Sequence, residues 1–280
     1  MPEAPISDAS PAEDRALLVE AAKAGGAVAL EHFRASVRSW DKSGGQGPVS
    51  EADLAVNRAV EAILTTRRPA YGWLSEEDTD NQERLAAERV FVVDPIDGTR
   101  AFLEDKPEFA VALAVIAGGR PIAGAVCLPA LGETYSAHMG GGATVMREGE
   151  TYPLSVSQRA EPDGARALAN RSQLAEEHWP GGVPALRREY RPSLAWRLCL
   201  VASGQFDTVL TFRKAWEWDI ASGALIVGEA GGRITDAAGE ELSFNRAEPR
   251  LPSMVAAPPA LHARLMELRQ GPRGLASAPA

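Results

Sequence analysis

Cysteine is scarce in this sequence, which has two cysteines in 280 residues, Cys127 and Cys199. Both lie in apolar runs, so we expect reduced core side chains and a cytoplasmic protein rather than a disulfide framework. Residues 1–11 are acidic and have no apolar segment of the kind that a signal peptide needs. No apolar run approaches the length of a membrane span, which predicts a protein without membrane helices.

Positive charge is also in short supply, with 29 Lys and Arg against 38 Asp and Glu and a net charge of −9. Such a balance argues against binding a nucleic-acid polymer or an anionic membrane. The apolar content of 45% and the charged content of 24% are ordinary for a globular protein. The length suits one large domain or two tightly joined lobes, and it leaves monomer and homodimer open.

The most informative stretch is VVDPIDGT at positions 92–99. The apolar residues that open it predict a buried strand, and Pro95, which has no N–H, predicts that the strand ends there. Asp94 and Asp97 are then expected at the carboxyl end of the strand, where open sheets place ligands. Two carboxylates and the Ile96 carbonyl are ligands of the kind that Mg²⁺ prefers. A loop with two solvated acids is the alternative interpretation.

The string DPIDGT resembles the signature of the inositol monophosphatase superfamily, the lithium-sensitive, Mg²⁺-dependent phosphomonoesterases. Members include inositol monophosphatases, 3'(2'),5'-bisphosphate nucleotidases and distant sugar bisphosphatases. The backbone N–H groups of Gly98 and Thr99, at the next turn, suit a phosphate group. The resemblance therefore implies a magnesium-dependent, lithium-sensitive hydrolase that acts on a small phosphorylated substrate.

Two further acids extend the resemblance. Glu76 precedes Asp94 by 18 residues, and the family places a metal-binding Glu shortly before its signature. Asp219 lies in WDIASG, followed by EAGG at 229–232, which resembles the second signature of the family. Converging carboxylates repel one another without cations, which favours a metal site. Taken alone, Glu76 would belong to an acidic surface loop and Asp219 would be a helix cap.

The segment PVSEAD at 48–53 permits two interpretations. It has the acidic third residue of a helix capping box, and it also resembles the family segment V-T-x-A-D. In the family that Asp binds the Thr of D-G-T. The resemblance thus implies that Asp53 and Thr99 act together as the base for the attacking water. Both interpretations can hold at once.

The resemblance also implies how the ions are held. One Mg²⁺ is expected on Glu76, Asp94 and the Ile96 carbonyl, and a second on Asp94, Asp97 and Asp219. A third would bind more loosely near Glu76, with the loop at 39–49 closing over it. The expected cofactor is two or three Mg²⁺ ions per active site.

Substrate preference depends on the segment FRKAWEW at 212–218. Inositol monophosphatases carry a Glu seven positions before the Asp of the second signature, and Phe212 occupies that position here. The segment is aromatic and basic, so Trp216 is expected to stack on a base while Arg213 or Lys214 meets a second phosphate. A core Trp216 with a solvated basic pair is the alternative.

The segment SLAWRLCLVA at 193–202 resembles a helix of bacterial bisphosphate nucleotidases, with Arg197 in place of Lys and Pro192 in place of the common Gly. Ser193 and Arg197 are therefore expected to bind substrate. These features favour hydrolysis of 3'-phosphoadenosine 5'-phosphate, a by-product of sulfate assimilation and sulfo transfer, to AMP and phosphate. The alternatives are an inositol monophosphatase or sugar-phosphate phosphatase and, more remotely, a non-catalytic phosphate-binding regulator.

The implied fold is a mixed α+β and α/β one, a layered α-β-α-β-α sandwich of the sugar-phosphatase type with two tightly packed lobes. We expect a disordered N-terminus at 1–11, an α+β lobe with an antiparallel sheet at 12–158, an α/β lobe at 159–270 and a C-terminal tail at 271–280. Local patterns predict a helix at 12–37, a flexible loop at 39–49, a hairpin of strands at 109–117 and 122–128, and a short helix at 183–188.

Overall fold

The first layer of the fold consists of two helices and a hairpin: α1 (Pro11–His32), β1 (Ser39–Asp41), β2 (Pro48–Ser50) and α2 (Glu51–Arg67). The computed structural model describes residues 9–35, 37–41 and 47–271 of the chain. The two helices approach closely because Gly25 has no side chain, and a Cβ atom there would lie 2.8 Å from Cγ2 of Val60. This layer covers one face of the larger sheet.

Seven strands of the described chain form the second layer. They lie side by side in chain order: β3 (Gly72–Ser75), β4 (Arg89–Asp97), β5 (Ala110–Ala117), β6 (Arg120–Leu128), β7 (Glu133–His138), β8 (Ala143–Arg147) and β9 (Glu150–Pro153). The β5–β6 pair confirms the predicted hairpin. Side chains alternate across the sheet, so Phe91 and Val93 pack against α1 and α2 while Val90 and Val92 pack into the next layer.

The remaining layers are a pair of helices, a second sheet and an outer helix. Their elements are β10 (Arg166–Leu168), β11 (Arg187–Glu189), α4 (Leu194–Ala202), β12 (Thr208–Thr211), α5 (Glu217–Glu229), β14 (Arg233–Thr235), β16 (Met254–Ala257) and α6 (Pro259–Gln270). The short helix α3 (Thr99–Leu103) follows β4, and β13 (Ala215–Trp216) pairs with β15 (Arg250–Leu251). Helices α4 and α5 pack between the sheets, and α6 covers the outside of the second sheet. This arrangement confirms the predicted α-β-α-β-α sandwich.

Strand β4 does not end at Pro95, contrary to the prediction. It continues to Asp97 through its pairing with β5, whereas its pairing with β3 on the other side ends at Val93. The register shifts between Asp94, which pairs with Ala112, and Asp97, which pairs with Ala110. Pro95 lies in this bulge, where its missing N–H is tolerated because the ladder is already interrupted. The bulge therefore delivers both acids without ending the strand.

Four other boundaries differ from the predictions. Helix α1 ends at His32 rather than 37, because the chain turns so that Phe33 packs on Phe102 and Phe109. Ser10 caps α1 and Pro11 begins it, whereas disorder was predicted through residue 11, and residues 1–8 and 272–280 lie outside the described residues. The 39–49 loop contains strands at both ends, with 42–46 outside the described residues. The predicted helix at 183–188 is instead irregular chain leading into the edge strand β11, which pairs with β10.

The largest hydrophobic cluster takes residues from both 12–158 and 159–270, so the division into two lobes stays a prediction. No helix within the described ranges is both long enough and apolar enough to cross a bilayer.

One buried histidine gives this fold a predicted pH response. His262 of α6 is 3% exposed, and its Nε2 lies 2.9 Å from Oγ1 of Thr235. Burial, assisted by the charge of Arg233, lowers the pKa of His262 to about 4. Between pH 6.5 and about 4 the unfolded chain binds a proton that the folded chain does not, so the free energy of unfolding falls as the pH falls.

We expect the variant His262→Gln to flatten this decline by about 2 kcal/mol in total. The measurement is urea unfolding at several pH values from 7 to 4.5, and the matched control is His32→Gln at the end of α1. Parallel pH curves for wild type and His262→Gln would contradict the prediction.

Candidate active site

Three carboxylates meet where the bulge in β4 faces the start of α5. Oxygen atoms of Asp94, Asp97 and Asp219 all lie within 4.8 Å of one another. Helix α5 reaches the larger sheet because small residues face each other there. A Cβ atom on Gly124 of β6 would lie 3.1 Å from the backbone of Ser222. The structure thus brings together three of the predicted metal ligands.

The electrostatics of this cluster fit a cation. Asp94 is buried, and its Oδ1 has no hydrogen-bond partner. Burial raises the pKa of Asp94 well above its usual range, and the charges of Glu76, Asp97 and Asp219 raise it further. Burial also raises the pKa values of Asp97 and Asp219. An orphaned oxygen among mutually repelling carboxylates is the donor set that a hard divalent cation such as Mg²⁺ would satisfy.

Glu76 lies directly after β3, outside the group of three. Its N–H donates to the carbonyl of Val93 at 3.1 Å, which places it beside the end of β4. The turn is held by a buried bond from Ser75 Oγ to Asn57 Oδ1 of 2.6 Å, and Asn57 in turn donates to Asp78 at 2.9 Å. This support was not predicted from the sequence, although Asn57 follows Asp53 by one helical turn and so lies on the same face of α2.

Asp97 is fixed by the start of α4. Its Oδ2 accepts from Ser193 Oγ at 2.6 Å and from the Ala195 N–H at 2.7 Å. Ser193 is completely buried and also caps α4 by accepting from the Trp196 N–H at 3.0 Å. Ser193 therefore positions Asp97, whereas its sequence context predicted a contact with substrate.

The predicted pair of Asp53 and Thr99 is in contact. Thr99 Oγ1 lies 3.2 Å from Oδ1 of Asp53 and 3.0 Å from the Ile96 carbonyl. Oδ2 of Asp53 accepts from the N–H of Ser50 at 2.8 Å and from its hydroxyl at 2.6 Å, so the capping interpretation also holds. Burial, opposed by these hydrogen bonds, raises the pKa of Asp53 to about 6.

Asp219 likewise serves two purposes. It accepts from the Trp216 N–H with Oδ2 at 3.3 Å and so caps α5, while its carboxylate belongs to the acid cluster.

At the turn between β4 and α3, Gly98 has φ of +98°, and a Cβ atom there would lie 3.1 Å from the carbonyl of Glu108. Glycine is therefore needed where the chain leaves β4 and begins α3.

A cavity of about 320 Å³ opens beside the acid cluster. Its lining includes three acids, Glu76, Asp97 and Asp219, and four basic residues, Arg197, Arg213, Lys214 and Arg250. The volume lies at the lower end of the range typical of small-molecule sites. Four cations around one cavity stand out in a chain with a net charge of −9.

The predicted substrate-binding residues differ in the contacts that they make within the protein. Arg197 donates from Nε to the carbonyl of Arg191 at 2.5 Å, and its guanidinium lies 4.5 Å from the ring centroid of Tyr190. Lys214 lies 3.5 Å from a carboxylate oxygen of Glu248. Arg197 thus also supports the loop at the cavity mouth, whereas part of the charge of Lys214 is neutralised.

Trp216 is half-buried, and its ring contacts another aromatic ring. Its ring stacks on that of Trp218, with centroids 4.6 Å apart and planes inclined by 12°. The guanidinium of Arg250 lies 3.8 Å from its ring centroid. Arg250 and Tyr190 were not predicted as site residues, since neither belongs to a local sequence motif.

Phe212 lies away from this cavity. Its ring packs against His178 and Trp179 with centroid distances of 5.0 and 5.6 Å, and Arg269 lies over it at 3.9 Å. The position where inositol monophosphatases carry a Glu is therefore part of the apolar packing around α6.

Comparison with known proteins identifies the family of this chain. The profile described as "Inositol monophosphatase family" matches residues 10–271. The chain belongs to the inositol monophosphatase family. An inositol-1-monophosphatase of Rhizobium meliloti is 36% identical over 197 residues, which cover 68% of this chain and 73% of that protein. The 3'(2'),5'-bisphosphate nucleotidase CysQ of Escherichia coli K12 is 30% identical over 210 residues, which cover 72% and 81%.

The solved structures show the same family fold. The IMPase of Thermotoga maritima aligns with a TM-score of 0.76 at 26% identity, covering 90% of this chain and 94% of that one. Membership of the inositol monophosphatase family makes the chain a phosphatase of small phosphorylated substrates. Its relatives include both inositol monophosphatases and bisphosphate nucleotidases at modest identity, so substrate choice has to be argued from the cavity.

Proposed function

We propose that this phosphatase hydrolyses 3'-phosphoadenosine 5'-phosphate to AMP and phosphate. The observation that supports this substrate is the cavity lined by Arg197, Arg213, Lys214 and Arg250 next to the acid cluster. A substrate with one phosphate at the acid cluster and a second one elsewhere would use this excess of cations. Trp216 lines the same cavity, and because Trp218 covers one face of its ring and Arg250 the other, it offers a base an aromatic edge rather than a free face.

The cofactor we propose is Mg²⁺, two or three ions per active site. Asp94, Asp97 and Asp219, with Glu76 and the Ile96 carbonyl, would hold it. Bound Mg²⁺ supplies charge neutralisation for the phosphate and lowers the pKa of water. Backbone N–H groups of Gly98 and Thr99 are proposed to bind phosphate oxygens.

The protein's own base is proposed to be the pair of Thr99 and Asp53. The Thr99 hydroxyl would orient the attacking water, and Asp53 would take up the proton through that hydroxyl. A pKa of about 6 leaves Asp53 mostly ionised at neutral pH and still able to accept a proton. Activity should therefore rise as the pH rises through about 6.

An inositol phosphate is the second candidate, favoured by the relative with the highest identity given above, an inositol-1-monophosphatase. Phe212, packed against Trp179 and Arg269, argues against it, because it provides no acceptor for polyol hydroxyls.

We propose a cytoplasmic location as well, in keeping with the buried, unpaired Cys127 and Cys199.

The test is phosphate release with Mg²⁺ from equal concentrations of 3'-phosphoadenosine 5'-phosphate, adenosine 3'-phosphate, inositol 1-phosphate and fructose 1,6-bisphosphate. We expect kcat/KM for the nucleotide bisphosphate to exceed that for adenosine 3'-phosphate at least about tenfold, because only the former carries the second phosphate. Faster turnover of inositol 1-phosphate would contradict the proposal and favour the second candidate. Reactions with a chelator serve as the blank.

A further inference from the structure

A short exposed loop beside the cavity is held by a buried arginine. Arg84 is 2% exposed and is oriented by Asp80, which accepts from its Nε at 2.6 Å and from its Nη2 at 2.9 Å. From there it donates to Oδ1 of Asn245 at 2.5 Å and to the carbonyl of Arg246 at 2.9 Å. Arg84, in the segment between β3 and β4, thus holds the chain at 245–246 from one side.

A buried glutamate holds the same loop from the other side through hydrogen bonds. Glu217, the first residue of α5, accepts from the N–H groups of Asn245 at 2.6 Å and Arg246 at 3.0 Å. Its own N–H donates to the carbonyl of Pro249 at 3.0 Å. Asn245 adopts a left-handed conformation with φ of +57° between these contacts. We call Arg84, Glu217 and Asn245 the loop clamp.

The loop clamp fixes residues 245–249 with two buried charged side chains, Arg84 and Glu217, and burying charged groups costs free energy even when they are paired. Arg250 is the residue that directly follows this loop. Strand β15 begins there and pairs antiparallel with β13, so that Arg250 lies opposite Trp216. Its guanidinium lies 3.8 Å from the centroid of the Trp216 ring.

Arg250 differs from the other cations of the cavity. Among the described residues no acid forms an ion pair with it, whereas Lys214 is paired with Glu248. Arg197 is buried and donates to carbonyls of the segment that precedes α4, and Arg213 is exposed and lies over no aromatic ring of the described residues. When a guanidinium stacks on an indole, only its face is covered. The N–H donors point outward in the guanidinium plane and remain available to bind an anion with two hydrogen bonds.

We propose that Arg250, held over Trp216 by the loop clamp, is the residue with which the cavity selects a substrate that carries a second anionic group. The inference rests on the proposed function and names the residue responsible for its preference. Arg250 would contact the substrate, and Asn245 is a positioning residue that acts through it.

The test compares kcat/KM for 3'-phosphoadenosine 5'-phosphate with that for adenosine 3'-phosphate, both with Mg²⁺. In Arg250→Gln the ratio should fall at least about tenfold relative to wild type, through KM for the bisphosphate. Arg250→Lys should recover part of the ratio, because the charge remains while the two-bond geometry is lost. The matched control is Arg233→Gln, which removes the same charge from an exposed position on β14.

The clamp is tested with Asn245→Gly, which removes the bond to Arg84 and still permits the left-handed backbone. Its ratio should fall in the same direction by less, and the double variant with Arg250→Gln should show no further fall. If wild type has no preference for the bisphosphate, the proposed function and this inference both fail. If wild type has the preference and Arg250→Gln matches Arg233→Gln, the inference fails while the proposed function stands.

Discussion

Replacing Asp94 by Asn should lower phosphatase activity at least about a thousandfold, because it removes a charged ligand that both predicted Mg²⁺ ions share. The same change should stabilise the metal-free protein. Asp94 is buried beside Asp97 and Asp219, and the pKa of Asp94 is raised well above its usual range, so its ionised form opposes folding. Asn keeps the shape and removes the charge, which we expect to add about 1 kcal/mol or more to the free energy of unfolding.

These two opposite effects separate a ligand from a structural residue. Urea unfolding in the presence of a chelator should show that Asp94→Asn is more stable than wild type. The difference should grow as the pH rises, because the raised pKa of Asp94 means that ionising this carboxyl destabilises folded wild type relative to the unfolded chain. Addition of Mg²⁺ should stabilise wild type far more than Asp94→Asn. The control is Asp163→Asn on the surface. An active, Mg²⁺-stabilised Asp94→Asn protein would refute the metal assignment.

Replacing Thr99 by Ala should reduce kcat about a hundredfold or more, the usual effect of losing a positioned proton-transfer group. The Thr99 hydroxyl lies 3.2 Å from Asp53 and is the link between that carboxylate and the attacking water. Its hydrogen bond also lowers the pKa of Asp53, so the acid limb of the residual activity should move to higher pH in the variant. Stopped assays between pH 5 and 8 measure both effects.

Two substitutions make the Thr99 result specific. Thr99→Ser keeps the hydroxyl and should stay within about tenfold of wild type. Thr66→Ala changes the same residue type at an exposed position near the end of α2 and serves as the control. A Thr99→Ala enzyme with unchanged kcat would show that Asp53 acts through another group.

Local sequence carried much of the fold and of the acid cluster. Asp94 and Asp97 flank one bulge, and the run at 90–93 alternates between two buried faces, so a short motif and a simple period predict both. The small residues of α5, Ser222 among them, are likewise a local feature, and the close approach of α5 to β6 that brings Asp219 into the cluster depends on them. These features depend on neighbours a few positions apart, which is where sequence patterns are informative.

What the sequence did not predict depends on contacts between distant segments. Arg250 faces Trp216 through two-residue strands whose pairing has no local signal. Ser193 was expected at the substrate, but the bulge at Pro95 turns Asp97 towards it. Tyr190 lines the cavity from an irregular segment that no periodic pattern marks. Pairing partners and bulges are set by the whole packing, and short windows do not contain them.

Each of three acids in the site also holds the first turn of a helix. Asp53, Asp97 and Asp219 all use Oδ2 for this purpose, at the starts of α2, α4 and α5. Loss of such a capping bond typically costs about 1 kcal/mol. In the proposed Mg²⁺-loaded protein, where the repulsion among these acids is neutralised, a change to Ala at any of these positions would remove the capping bond along with turnover, and a small loss of stability lowers cellular abundance several-fold. Selection against unfolded protein would therefore help to retain these carboxylates even in a lineage that no longer needed the reaction.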